Sequence, residues 1–149
     1  MSEVFSTLAV ARSGMGAYKL WIDAVADNVA NIDNVTSTDQ PAFTERFVVV
    51  RPQEDAGAVG VPGPAGAVAA DGIGRGVVVT GVQFGDPNGR IVFEPNNPMA
   101  DANGMVRRPD IDLSDQMVYI QVAQRGYQAN INVFERAREA YEAALQIGK

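Results

Sequence analysis

The chain has 149 residues, a formal net charge of −6 at pH 7, and neither cysteine nor histidine. This length fits one ordinary domain, and the acidic balance disfavours nucleic acid and anionic membrane surfaces, since both attract basic proteins. The missing cysteine and histidine exclude thiol nucleophiles, histidine-dependent triads, and thiolate or imidazole metal sites.

Simple membrane and secretion signals do not occur in the sequence. No stretch approaches the ~20 apolar residues of a membrane span. The N-terminus, Met1 to Val4, lacks the basic region and apolar run of a secretory signal peptide. We therefore expect no direct membrane span, and export, if it occurs, by another route.

The N-terminal 40 residues predict one long helix. Apolar residues from Val4 to Ile32 are spaced alternately four and three apart, as in a coiled-coil seam. About four heptads form a helix roughly 43 Å long, which exceeds a compact domain of this size. Gly14 and Gly16 lie off this stripe, where they either weaken the helix or let another backbone approach closely. The stripe comprises Val4, Leu8, Ala11, Met15, Tyr18, Ile22, Val25, Val29 and Ile32.

The middle of the chain predicts β structure. All eight prolines lie between Pro41 and Pro109, and strand-like runs occur at 42–51, 76–84 and 90–94. The sequence Gly-Asp-Pro-Asn-Gly at 85–89 predicts a hairpin turn between the last two strands. Residues 56–74 are rich in Gly, Ala and Pro without periodicity, which is typical of a flexible loop.

The C-terminal segment repeats the helical pattern. Asp112 is a plausible N-cap after Pro109, and Asp115 lies near the positive helix end. Gln124 and Arg138 interrupt the stripe with polar side chains, which often fix register at a cost in stability. The apolar members are Leu113, Met117, Ile120, Tyr127, Ile131, Phe134, Tyr141 and Leu145.

These segments predict an α+β protein, in which long N- and C-terminal helices pack as a coiled coil and flank a small β-rich middle segment. The predicted boundaries are a helix segment at 1–40, a middle segment at 41–109, and a helix segment at 110–149. Packing of both helices within one molecule is the simpler alternative. The length of the stripes favours assembly with other subunits.

Candidate chemical sites have simpler explanations. Gly72 to Gly76 resembles a dinucleotide loop, but a strand follows it and the third glycine is missing. Asp110, Asp112 and Asp115 could act in acid–base catalysis or bind a hard metal ion. Their position at the start of the second helix is explained more simply by helix capping. Arg107 and Arg108 form a two-residue basic patch that we expect to be solvated. We therefore predict no catalytic residue, no cofactor and no metal.

Asparagines recur every three residues where the first helix should end, at Asn28, Asn31 and Asn34. One interpretation is helix termination, since asparagine favours caps and turns. The other is a ladder of amides that hydrogen-bonds a neighbouring helix. The spacing alone does not choose between them.

Four sequence patterns resemble the bacterial flagellar rod and hook proteins. Residues 28–31 read Asn-Val-Ala-Asn, like the N-terminal signature of that family. Residues 93–106 read Phe-Glu-Pro-Asn-Asn-Pro-Met-Ala-Asp-Ala-Asn-Gly-Met-Val, which is similar to a segment typical of its proximal rod members, and 109–112 continue it. Residues 125–130 match its Arg-x-Tyr-x-Ala-Asn run, whereas Gln116 stands where Glu commonly precedes Met117.

The resemblance implies a structural role that composition alone does not give. Rod proteins of this family are exported by the flagellar type III apparatus without signal cleavage and polymerise helically into the drive shaft that crosses the periplasm. Their terminal helices form the inner layers, and the middle segment faces outward. The implied partners are its own copies, other proximal rod proteins and the junction protein at the export gate, with surrounding ring proteins as further candidates.

We expect the helices to supply the subunit interface. Asn28, Asn31, Arg125, Tyr127 and Asn130 are the candidates for specific contacts, since an amide, guanidinium or phenol can anchor an interface. Three alternatives remain: another rod or hook subunit, a soluble helical adaptor, and a small enzyme that uses Asp110 and Asp112. The predicted interface residues are Val4, Leu8, Met15, Tyr18, Ile22, Val25, Asn28, Val29, Asn31, Met117, Ile120, Arg125, Tyr127, Asn130, Ile131, Phe134 and Tyr141.

Overall fold

The computed structural model describes residues 2–53 and 75–147, and the side chains of 5–53 and 75–146. The order of elements is α1 (Ser2–Ala30), β1 (Arg46–Pro52), β2 (Val77–Phe84), β3 (Arg90–Phe93), β4 (Met105–Arg108) and α2 (Leu113–Ile147). This order confirms the predicted α+β class with a helix near each end. The predicted loop at 56–74 lies outside the described residues, as does the side chain of Val4.

Helix α1 ends at Ala30, so Ile32 lies beyond it. The backbone N–H of Asn31 donates to the carbonyl of Asp27 at 3.2 Å, and its side-chain amide donates to the same oxygen at 2.8 Å. The side chain of Asn31, the first residue after α1, thus adds a second hydrogen bond to a carbonyl of the last helical turn. The helix-termination interpretation is therefore confirmed for Asn31.

Helix α2 begins with the cap that the sequence predicted. A carboxylate oxygen of Asp112 accepts from the backbone N–H of Ser114 at 2.6 Å, and its carbonyl accepts from the N–H of Gln116 at 3.1 Å. The hydrogen bonds from Ser114 lower the pKa of the Asp112 carboxyl. The cap therefore stays ionised at neutral pH beside the positive end of the helix.

The four strands form two separate two-stranded sheets. Strand β1 pairs with β2, and β3 pairs antiparallel with β4. The predicted hairpin between β2 and β3 is therefore wrong. After β2 the chain keeps pairing with the segment that precedes β1, because Gly85 N–H donates to the Glu45 carbonyl at 2.8 Å and Ala42 N–H donates to Pro87 at 2.9 Å. The turn itself forms, with Gly89 at φ +57°, but it connects two sheets.

The chain divides into two compact units whose boundaries cut through both helices. Unit 1 comprises Met1–Lys19, Val50–Thr80 and Gln124–Lys149, and unit 2 comprises Leu20–Val49 and Gly81–Ala123. Most fully buried side chains among the described residues belong to unit 2, whereas unit 1 contributes Ala11. Those of unit 2 are Ala24, Val25, Asn28, Ala42, Val106, Pro109, Ile111, Gln116 and Ala123.

Candidate assembly surface

The buried stripe of α2 is rotated relative to the predicted one. Leu113 and Met117 are 48% and 44% exposed, and Gln116 and Ala123 are buried in their place. Five residues of the predicted stripe are half-buried in the structure: Ile120, Tyr127, Ile131, Phe134 and Tyr141. The spacing of apolar residues in the sequence predicts these shared positions. It cannot reveal the residues that face inward beside them, because those residues are small or polar. The inward flank comprises Gln116, Ala123, Asn130 and Ala137.

The stripe of α1 is closer to the prediction. Val25 and Ala11 are buried as expected, whereas Ala24 and Asn28 are buried although they lie outside the predicted apolar stripe. The remaining predicted residues with described side chains are half-buried: Leu8, Met15, Tyr18, Ile22, Val29 and Ile32. Half-buried apolar positions retain exposed area that another molecule could cover.

Within unit 1 the two helices meet through aromatic and small residues. The rings of Phe5 and Tyr141 pack edge to face with centroids 5.3 Å apart. A Cβ atom on Gly126 would overlap the ring of Tyr18, so the absence of a side chain there permits the contact. A Cβ on Gly14 would likewise overlap the side chain of Asn130, whose amide donates to the Gly126 carbonyl at 2.8 Å.

The predicted close approach of another backbone is found at neither glycine. Gly14 accommodates a side chain rather than another backbone. At Gly16, no described atom lies within 4 Å of the position that a Cβ would occupy, so this glycine retains only its cost in helix propensity.

Unit 1 also attaches α1 to the start of β2. The Ser13 hydroxyl accepts from the Val77 backbone N–H at 3.1 Å and donates to the Val10 carbonyl at 2.7 Å. Gly76 lies against this hydroxyl with φ +86°, a conformation that L-residues rarely adopt. One serine thus links a helix to a strand without an apolar core.

Within unit 2 a buried amide pair connects α1, β1 and α2. The Asn28 side chain accepts from the Arg46 N–H at 2.9 Å and donates to the Arg46 carbonyl at 3.1 Å, so it pairs with the strand as a backbone amide would. The same amide donates to the Gln116 side-chain oxygen at 3.0 Å, and the Gln116 amide donates to the Glu45 carboxylate at 2.7 Å. Both amides are thus satisfied inside the unit, as burial requires.

A small open cleft of about 190 Å³ lies beside this network. Its apolar lining includes Trp21 and Tyr119, whose rings are 6.3 Å apart, together with Phe47. Arg46, at its edge, forms an ion pair with Asp27 and lies over the Phe43 ring at 5.3 Å. Because the amides here already bond one another, the cleft offers few polar groups to a ligand.

Arg107 and Arg108 are not simply solvated, contrary to the sequence-based expectation. The guanidinium of Arg107 donates to the carbonyls of Thr38, at 2.6 Å, and of Asn88. Arg108 contacts the carboxylates of Glu94 at 2.7 Å and Asp33 at 3.4 Å. The bond to Arg108 is the main cause of a lowered pKa for Glu94. The pair organises loops that lie far apart in sequence.

The acidic residues before β4 and before α2 have structural partners. Asp101 accepts from the backbone N–H groups of Asn103 at 2.8 Å and Met105 at 3.0 Å, and these bonds lower its pKa. Asp110 lies 3.6 Å from Arg90. In the part of the chain that the structure describes, no group of three or more acidic side chains is arranged to hold a metal ion.

The residues predicted to make specific contacts lie in different environments. Asn28 is buried and bonded within unit 2, and Asn130 is half-buried and bonded within unit 1. Tyr127 and Asn31 are half-buried, whereas Arg125 is exposed. Sequence reasoning missed the buried Gln116, which the apolar pattern skips. Its only sequence signal is its position one turn after a capping aspartate.

Comparison with known proteins decides the family. A family model described as the C-terminal part of flagellar basal body rod FlgEFG proteins matches residues 102–147. A flagellar basal-body rod protein FlgC from Salmonella typhimurium is 34% identical over 140 residues, which cover 94% of each chain. The chain belongs to the FlgC family. FlgC proteins from Borreliella burgdorferi and Aquifex aeolicus are each 28% identical and span 97% and 100% of both chains.

Membership of the FlgC family makes the chain a structural subunit of the flagellar basal-body rod. The resemblance noted at 93–106 and 125–130 is thereby confirmed, and with it the proximal rod assignment over another rod or hook subunit. The helices in the described residues contain no apolar window long enough to cross a bilayer. The relatives' names describe a structural component and mention no reaction.

Proposed function

We propose that the chain polymerises helically through α1 and α2, and that it forms part of the drive shaft that transmits rotation for motility. In this proposal the two helices pack as a coiled coil and also against the helices of neighbouring subunits. The interface uses the predicted stripe residues that keep exposed surface, together with the other exposed apolar side chains of α2. Torque is resisted by the summed burial of apolar surface, because many small contacts together exceed any single bond.

The observation that carries this proposal is the set of large apolar side chains that α2 leaves exposed. Helix α2 already contacts α1 inside each unit, yet apolar side chains remain on the surface along its whole length. At about 100° per residue these side chains lie on more than one side of α2, so neighbouring subunits on different sides could cover them. The exposed members are Leu113, Met117, Val118, Val122, Val133 and Leu145.

The partners follow from the same proposal. Its own copies and other proximal rod proteins would cover the helices, with the junction protein at the export gate and the surrounding ring proteins as further neighbours. We further propose export through the flagellar type III apparatus without signal cleavage. No catalytic turnover is part of this function.

A charge placed among the exposed apolar side chains of α2 tests the proposal. Val133 is 46% exposed, so Val133→Glu should leave the isolated chain folded, with unchanged helicity and melting temperature. In the rod the same carboxylate would be buried without a partner, at a cost of about 3 kcal/mol per contact. We expect loss of swimming and of assembled rods by electron microscopy.

Gln121→Glu is the matched control, because Gln121 is an exposed polar residue of the same helix. It introduces the same side chain and should leave motility close to wild type. Normal rods in the Val133→Glu strain would contradict the proposal. A single copy of the chain per basal body would instead favour the adaptor alternative, because an adaptor forms a finite complex and not a polymer.

A further inference from the structure

One face of the β3–β4 sheet carries two exposed apolar side chains. In the antiparallel register Ile91 lies opposite Arg107 and Phe93 lies opposite Met105, so these four side chains share one face. Phe93 is 65% exposed and Ile91 is 47% exposed, whereas Val106 on the other face is fully buried. We call Ile91, Phe93, Met105 and Arg107 the 91/93 face.

The backbone beneath the 91/93 face is held on both sides. Strand β4 pairs with β3, and on its other edge Arg107 exchanges two backbone hydrogen bonds of 2.9 Å with Thr36. The loop after β3 is fixed by the bonds that Asp101 accepts and by a 2.9 Å bond from Asn97 to Glu94. A preordered surface loses little conformational entropy on binding.

An exposed aromatic ring on such a surface is a suitable binding anchor. A Cβ on Gly104 would lie 2.9 Å from the Phe93 ring, so the ring rests against backbone on one side and is open on the other. Large, rigid aromatic side chains carry much of the energy in protein interfaces. The 91/93 face therefore has the properties of a docking site.

The charge of unit 2 defines the partner. Its residues include eleven carboxylates and four arginines and no lysine, a net charge of −7. The four arginines are already engaged: Arg46, Arg90 and Arg108 with carboxylates, and Arg107 with carbonyls. Hydrogen bonds lower the pKa of Asp39 and Asp101, so these carboxylates stay ionised at neutral pH.

A second copy of the chain fits this surface poorly. A second copy that met this face with its own 91/93 face would bring Asp39 and Asp86 against the same two carboxylates, and such like-charge contacts are unfavourable. The residues of unit 1 sum to +1, which offers little compensation. A surface rich in lysine and arginine would be attracted instead, and its on-rate would rise by electrostatic steering.

We propose that the 91/93 face docks a different protein, whose surface places an apolar contact over Phe93 and lysine or arginine side chains around it. This inference goes beyond the helix-mediated assembly proposed above, because it concerns the sheet and a partner of opposite charge. Asp39 and Asp86 provide the nearby negative charge. Arg107 donates to the carbonyls of Thr38 and Asn88. Asp39 directly follows Thr38, and Asp86 lies two residues before Asn88.

Photocrosslinking in assembled basal bodies tests the proposal. Phe93 is replaced by p-benzoylphenylalanine in cells that remain motile, and Val133 is replaced likewise as a probe of the helix interface. At position 93 we expect adducts to a segment of another protein that is rich in lysine and arginine. At position 133 we expect adducts to rod subunits. The two probes therefore test the helix interface and the 91/93 face independently of each other.

Three results at position 93 would overturn the inference: adducts to other copies of this chain, adducts to residues 54–74 of the same chain, and no adduct while position 133 reacts.

The requirement for a basic partner has its own test. Asp39→Asn combined with Asp86→Asn should lower the yield at position 93 roughly fivefold or more, since steering depends on opposite charge. Glu139→Gln on α2 is the matched control and should leave that yield unchanged. An unchanged yield in the double variant would overturn the basic partner.

Discussion

Two buried amides, Asn28 and Gln116, connect the helices to the first strand. Asn28 pairs with both backbone groups of Arg46 and with Gln116, which in turn donates to Glu45. A buried amide that keeps all its partners specifies one arrangement, because every alternative leaves a polar group unsatisfied. Gln116 suits this position because its amide can donate to the Glu45 carboxylate.

Gln116→Glu should destabilise the chain in a pH-dependent way. Burial and the adjacent Glu45 would raise the pKa of the introduced carboxyl above its unfolded value. A raised folded pKa means that the penalty is absent below the unfolded pKa and grows as the pH rises through the folded one. We expect a loss of roughly 2–4 kcal/mol in the free energy of unfolding at pH 7, shrinking toward pH 4. Urea denaturation at several pH values measures it.

The swap variant Gln116→Glu with Glu45→Gln is the control. It restores an amide opposite a carboxylate, so it should recover most of the lost stability at pH 7. An equal loss in the single and swap variants would show that the hydrogen bond between positions 45 and 116 is not the cause.

At the scale of elements, the helices form where the repeat predicts them, but the side chains that α2 buries differ from those predicted. The line Ile120, Tyr127, Phe134 and Tyr141 adjoins an inward flank of small and polar residues, and exposed apolar side chains occur on other sides of α2. Small residues let two helices approach, so the contact inside the molecule does not need the large apolar side chains. These remain exposed, in the arrangement that the assembly proposal requires.

Gly126→Ala should destabilise the chain although alanine favours helices. The new Cβ would overlap the Tyr18 ring, and overpacking of this kind costs about 1–3 kcal/mol. Gly16→Ala is the matched control, because no described atom lies within 4 Å of the new Cβ. It should stabilise by about 0.5–1 kcal/mol through helix propensity. Thermal melts of the two variants should shift in opposite directions, and shifts in the same direction would contradict the packing at Tyr18.

Strand β4 shows why the sheet arrangement was mispredicted. Its four residues include two arginines, and only Val106 is fully buried, so no alternating apolar pattern marks it. The partner of β3 was therefore assigned to β2, which was the nearest strand before a good turn. The long-range bonds of Arg107 to Thr36 and Thr38 stabilise β4, and such bonds leave no periodic signal.

At the scale of the whole molecule, burial is distributed unevenly between the two units. Among the described residues, almost all buried side chains belong to unit 2. This unit includes the C-terminal part of α1 and the N-terminal part of α2. Regions with few buried contacts open more readily, since local stability follows local packing. The helix segments within unit 1 should therefore be the less stable parts of the isolated chain.

Hydrogen exchange of the purified monomer should reveal this division. We expect slow amide exchange in 20–30 and 113–123, together with the strands of unit 2, and faster exchange in 2–19 and 124–147. The boundary would then fall inside each helix rather than at the predicted limits near 41 and 109. Uniform protection along the full length of both helices would contradict this expectation. Protection of 2–19 and 124–147 only after rod assembly would support it.

The sequence by itself determined the helices, their caps and the family. A 3.5-residue repeat, a capping aspartate and ordered local motifs are local signals, and local physics suffices to interpret them. Tertiary structure alone decided which helix flank faces inward, how the strands pair, and that Asn28, Gln116 and Arg107 act inside the fold. These depend on partners distant in sequence, such as Gln116 with Asn28, and no periodicity along one segment encodes them.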